Sequence, residues 1–211
     1  MCVIVDEEMR KTVFYDRSGA MGAKKAIFKL LSVLCLIGFY FTILIGIFAI
    51  LLHLSFIWDA DSALSKSFGK FEPIFSYLEL HFYQEPNLYM EKSFMVLSLI
   101  SITTMILTAL LFLRLMYKLL KNIYKDSLFM YENVSIIFKL GLTYLILGTA
   151  FTYTDGLLLS KALSALDITN AEIQSSNLSY IDSITWGIVL IILASALKTA
   201  VHAVEENKKT I

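Results

Sequence analysis

Residues 30–58 read LLSVLCLIGFYFTILIGIFAILLHLSFIW, with no Asp, Glu, Lys or Arg across 29 residues. A helix rises 1.5 Å per residue, so this run is about 44 Å long. A bilayer core asks for roughly 20 apolar residues. Backbone groups in lipid must find partners within their own segment, which makes the run a helix. It is too long for a cleaved leader, whose apolar region is about 7–15 residues and ends at small side chains. Its exit, Phe56-Ile57-Trp58-Asp59, is bulky instead.

Three further stretches follow the same logic. Residues 93–113 carry no charge over 21 positions. Fifteen uncharged residues lie between Lys139 and Asp155, and five more follow that acid. The last stretch runs from Ser183 to Leu197, then from Thr199 to Val204 with His202 inside it. The reading is an all-α integral membrane bundle of four transmembrane helices. The expected spans are about 30–56, 93–117, 138–160 and 183–204, within a domain of residues 27–211 that follows an N-terminal segment, 1–26. Long apolar runs without alternation argue against a membrane barrel.

Composition agrees. Apolar and aromatic residues make up 57% of the chain and charged residues 17%, against about 25% charged in a typical soluble domain. Disorder needs low apolar content. A nucleic-acid binder needs a basic excess, whereas 18 basic residues here balance 18 acidic ones.

Orientation is read from Lys and Arg in the connecting segments. Fourteen lie in the N-terminal segment, the central connection and the C-terminal end; four lie in the other two connections. Both termini are therefore expected in the cytoplasm, with an inner loop at 118–137 and outer loops at 57–92 and 161–182. Trp58 and Trp186 then fall at the outer interface. The first outer loop is aromatic-rich. Short helices are expected at 62–68 and, started by its proline, at 73–83. The loop reads as a packed cap or as a binding surface.

The central connection is the most informative. Arg114, Lys118, Lys121 and Lys125 recur at intervals of four, three and four. At about 100° per residue they share one narrow helical face, so the second span continues as helix to about Lys125. Leu115, Met116, Leu119 and Ile123 lie opposite. The stripe either faces anionic headgroups, at about 1 kcal/mol per charge, or docks an acidic cytosolic partner. Asp126 or Ser127 is the expected cap of the next helix.

From Leu110 to Gly141 the chain resembles a bacterial membrane family, the domain-of-unknown-function 2975 type. The resemblance rests on the long basic helix exit, then Asp-Ser-Leu-Phe-Met-Tyr-Glu-Asn-Val at 126–134, then Phe-Lys-Leu-Gly at 138–141. Phe129, Glu132 and Asn133 match its central motif, and Met130 stands where that motif has a capping Ser or Thr. The tail at 191–211 is also similar. The resemblance covers 27–211 by layout and implies a four-helix bacterial inner-membrane protein, frequently encoded beside a small helix-turn-helix regulator. It implies no catalytic residues. Met21-Gly-Ala-Lys-Lys is similar to a start for such a chain, so residues 1–20 are either an extension or an upstream start.

No nucleophile elbow, phosphate loop or zinc-protease motif occurs. His81 with Glu79 and Glu85 matches no strong zinc spacing. No enzyme, cofactor or metal is expected. Ionisable groups within spans are functional candidates by default: here Asp155, Lys198 and His202. Asp155 is expected at an interface, and Lys198 is placed to snorkel. Small residues at Gly38, Thr42, Gly46 and at Ser195, Thr199, Ala203 read as helix contacts or as a homodimer seam.

The expected function is non-enzymatic: a protein of the bacterial cytoplasmic membrane that holds a cytosolic transcriptional regulator, helix-turn-helix or other DNA-binding type, in response to an envelope signal. The proposed contact is Arg114, Lys118, Lys121, Lys125, Phe129, Glu132 and Asn133. The chain itself would touch lipid but no nucleic acid. The alternatives are an immunity protein against an antimicrobial peptide and an accessory subunit of a transporter.

Overall fold

The computed structural model describes residues 2–76, 80, 82, 86–125, 127–166 and 179–209, with side chains from Lys25 onward except that of Ser179. Among these residues the fold is all-helical. Helix α1 is Cys2–Trp58, α2 Ala63–Ser67, α3 Lys92–Lys125, α4 Tyr131–Thr143, α5 Thr149–Leu163 and α6 Ser179–Lys209. A π-helical turn, Tyr144–Gly148, joins α4 to α5 without a break, and a 3-10 turn, Asn87–Met90, precedes α3. Four helical stretches are long and apolar enough to cross a membrane: Lys25–Trp58, Lys92–Lys125, Tyr131–Leu163 and Tyr180–Lys209. This is the build of a multi-pass membrane protein.

Neighbouring helices run antiparallel. Gly38 faces Leu113, Gly46 faces Ile106 and His53 bonds Ser98, so partners fall along α3 as positions rise along α1. Asn122 with Asn133 and Phe112 with Tyr144 repeat the pattern between α3 and the next helix. Gly141 with Gly187 and Gly148 with Ser183 repeat it again for α6. Helix α3 packs on α1 on one side and on α4 and α5 on the other, and α6 packs on α4 and α5. Among the described residues α1 and α6 share no packed face, so the four helices form an open row and not a closed bundle. Large apolar side chains of α1, from Leu30 through Phe41 to Leu54, stay exposed. Helices in lipid need no apolar partner there.

The connection between α1 and α3 is folded onto the helices. Phe71 and Tyr89 are buried with Phe56 of α1, Phe94 and Met95 of α3, and Leu158 and Ala162 of α5. Tyr89 stacks on Phe94 at 5.3 Å between ring centroids. Trp58 and Trp186 stand exposed at this end.

Several expectations are corrected. Ser62 does cap α2, accepting from the Ser65 amide at 3.1 Å, but residues 73–76 are not helical. A proline opens a helical turn further on, at Pro86. Residues 77–79, 81 and 83–85, and with them His81, Glu79 and Glu85, lie outside the described residues, as do Asp126 and 167–178. The 118–137 loop shrinks to 126–130, because α3 runs to Lys125 and α4 begins at Tyr131. The N-cap of α4 is Met130, which makes no side-chain cap bond. Gly38 and Gly46 do pack on α3, whereas Ser195, Thr199 and Ala203 are exposed.

Candidate functional site

The 126–130 turn is held by one side chain. Asn133 is 0% exposed. Its Nδ2 donates to the carbonyls of Ser127 and Leu128, at 2.9 and 3.0 Å, and its Oδ1 accepts from Asn122 Nδ2 at 2.9 Å. Asn alone offers two donors and an acceptor on a side chain this short. The Ser127 hydroxyl accepts from the Phe129 amide at 3.1 Å, tightening the turn further. Asn133 is therefore a positioning residue within the chain and presents nothing to a partner.

What the turn positions is exposed. Leu128, Phe129 and Tyr131 project apolar surface beyond the helices, with Glu132 beside them. On α3, Arg114, Lys118 and Lys125 are exposed, and Lys121 is half-buried with its Nζ 5.6 Å from the Tyr117 ring centroid. Leu115, Met116, Leu119 and Ile123 are half-buried, and Leu120 is buried. The basic residues and the apolar turn together form one amphipathic end. Lys198 and His202 also stand exposed near this end, His202 Nδ1 lying 3.4 Å from Glu206 Oε2 one turn on.

A second polar region lies inside the opposite half, and nothing in the residue spacing points to it. His53 of α1 is buried, with Nδ1 2.8 Å from the Ala49 carbonyl and Nε2 3.0 Å from Ser98 Oγ of α3. A carbonyl can only accept, so in the neutral ring Nδ1 carries the proton and Ser98 donates to Nε2. Asp155 of α5 is 2% exposed, and its Oδ2 accepts from the Ser76 amide at 3.3 Å. A narrow cavity with room for about one water lies among Ile74, Ser76, Ser98, Ser101, Ile102, Met105 and Phe151. It thus borders the partners of both His53 and Asp155. The acid is buried within the protein, where it ties the α1–α3 connection into the helices.

Among the described residues no three His, Cys, Asp or Glu side chains converge as a metal site requires. No family model, curated protein or solved structure matches the chain.

Proposed function

We propose that this chain is a non-enzymatic regulatory protein of the bacterial cytoplasmic membrane, with both termini in the cytoplasm, and that its amphipathic end captures an acidic cytosolic partner. The observation that carries this reading is a basic face beside exposed Leu128, Phe129 and Tyr131, on a turn fixed by a buried asparagine. Preorganisation of that kind lowers the entropy cost of binding. The 14-to-four charge bias supports the orientation. The resemblance to the domain-of-unknown-function 2975 type supports the kind of partner, a small helix-turn-helix regulator. At the other end, Phe71 and Tyr89 are buried inside the fold, which favours docking at the basic end over docking on the aromatic connection.

The test is co-purification in detergent with the helix-turn-helix protein encoded beside this chain. Lys121→Glu with Lys125→Glu should release it at unchanged membrane levels. Equal recovery from wild type and double mutant would remove the stripe from the mechanism.

A further inference from the structure

The chain between α1 and α3 does not stay beyond the helix ends. Phe68 meets Phe48 at 5.3 Å between ring centroids. Phe48 lies ten positions before Trp58, the last residue of α1, which is about 15 Å down the axis. Phe71 meets His53 at 5.4 Å, five positions before the same end, or about 8 Å. The Ser76 amide reaches Asp155, eight positions before the end of α5, or about 12 Å. Ile74 and Ser76 share a cavity with Ser101, nine positions into α3, or about 14 Å. Three helices thus agree that residues 68–76 run beside them at a depth of about 8–15 Å. Residues 69–76 are not helical. Their inner side is fixed and dry: Phe71 is buried, and Phe75, Leu80 and Phe82 pack on the same aromatic core.

At that depth two faces of the structure differ. Gly46 and His53 mark the side of α1 that meets α3. At about 100° per residue, Ile47, Leu51 and Leu54 lie on its back, and all three are exposed. Apolar side chains of this kind suit lipid. On the face of the segment, Lys70, Glu72 and Ser76 are exposed instead. Charged side chains are expensive in hydrocarbon. Non-helical backbone at membrane depth is either buried in protein or borders water. With its inner side buried, the segment needs water on its outer side.

We propose that residues 68–76 wall a water-filled recess on one face of the protein, in which water and small dissolved ions descend beside helices whose other face meets hydrocarbon at the same depth. Its deepest polar residue is Ser76, so a single residue separates the aqueous phase from the buried Asp155 carboxyl. The recess lies at the opposite end of the helices from the basic stripe. The proposal goes beyond the docking reading and does not rest on it.

The experiment uses the full chain in lipid nanodiscs, with Cys2 and Cys35 replaced by Ser. Both membrane faces are open to solvent there, so the result does not depend on orientation. Single thiols are introduced by Glu72→Cys and Ser76→Cys in the recess, by Leu51→Cys on the back of α1, and by Asp61→Cys beyond the end of that helix. All four side chains are exposed, so the substitutions leave the packing alone. A charged, water-soluble thiol reagent reads water access as a reaction rate, taken relative to the same thiol in denaturing detergent. The thiols at positions 72 and 76 should react within about tenfold of the thiol at position 61. The thiol at position 51 should be about a hundredfold slower or more, because hydrocarbon excludes both the charged reagent and the reactive thiolate. A thiol at position 51 as fast as those at 72 and 76 would mean that this whole end stands clear of the bilayer, and would overturn the recess. Reaction at position 72 or 76 as slow as at position 51 would overturn it equally.

Discussion

Gly141 of α4 and Gly187 of α6 meet backbone to backbone: a Cβ on Gly141 would stand 2.9 Å from the Gly187 carbonyl, and one on Gly187 3.0 Å from the Gly141 carbonyl. Each helix therefore needs a glycine where the other passes. The π turn at Tyr144–Gly148 begins three residues after Gly141, so this backbone-to-backbone approach and the one irregular turn of the described spans adjoin.

Gly187→Ala should destabilise the protein by about 1–2 kcal/mol. The clash is with backbone, and overpacking costs of this kind run to about 1–3 kcal/mol, partly offset by the better helix propensity of alanine. Gly38→Ala is the contrast. Its Cβ would meet only Leu113 side-chain atoms at 3.5 and 3.6 Å, so it should be neutral or stabilising by up to about 1 kcal/mol. Thermal unfolding in detergent compares the two. A Gly187→Ala protein as stable as Gly38→Ala would mean that α4 and α6 are further apart than described.

Asn133→Ala should cost about 1–3 kcal/mol, because it strands the Ser127 and Leu128 carbonyls and the Asn122 amide. Glu132→Ala, on the exposed neighbour, should stay within about 0.5 kcal/mol. Denaturation of the two variants side by side decides whether the motif is a turn staple. Equal effects would contradict that role for Asn133.

Topology is tested by reporters. A cytoplasm-active reporter fused after Ile211 should work, and one inserted near Gly69 should not, given the charge bias of the connections. The reverse pattern would overturn the orientation and with it the docking proposal.

Salt should act on capture at the basic end. The attraction of Arg114, Lys118, Lys121 and Lys125 for an acidic partner is between charges largely open to solvent. At 0.15 M salt the screening length is already about 8 Å, so recovery of the partner should fall steadily above that. Phe129→Ala should weaken capture with little change in its salt slope. Recovery that is insensitive to salt would show an apolar contact carrying the binding alone.

What is legible in the sequence is what local periodicity carries. The continuation of α3 to Lys125 follows from Arg114, Lys118, Lys121 and Lys125, which only a helix places on one face. The small-residue stripe at Gly38 and Gly46 points to a real helix contact. The polar seam is not legible, because His53 and Ser98 are 45 positions apart and Ser76 and Asp155 are 79. Serines within an apolar run carry no signal until a partner helix is placed. The second glycine contact carries a spacing of its own: Ser183 and Gly187 lie four apart and Gly141 and Gly148 seven apart, and the two pairs meet across the helices. Ser195, Thr199 and Ala203 form a stripe and stand exposed, so spacing alone does not tell the packed face from the lipid-facing one. Asn133 reads as part of a contact surface because its burial depends on a turn shorter than the sequence suggests.

The open row has a consequence for how the protein is made. Each long helix packs on the next in sequence, and α1 packs chiefly on α3. The face between α1 and α3 can therefore close while the rest of the chain is still being synthesised, whereas the connection between them, buried against Leu158 and Ala162 of α5, waits for that helix. Every later helix is then added to an existing edge, as a tile is laid against the one before it. A ribosome stalled after α3 would leave in the bilayer a docked pair, already closed against each other, and not two helices waiting for the remainder.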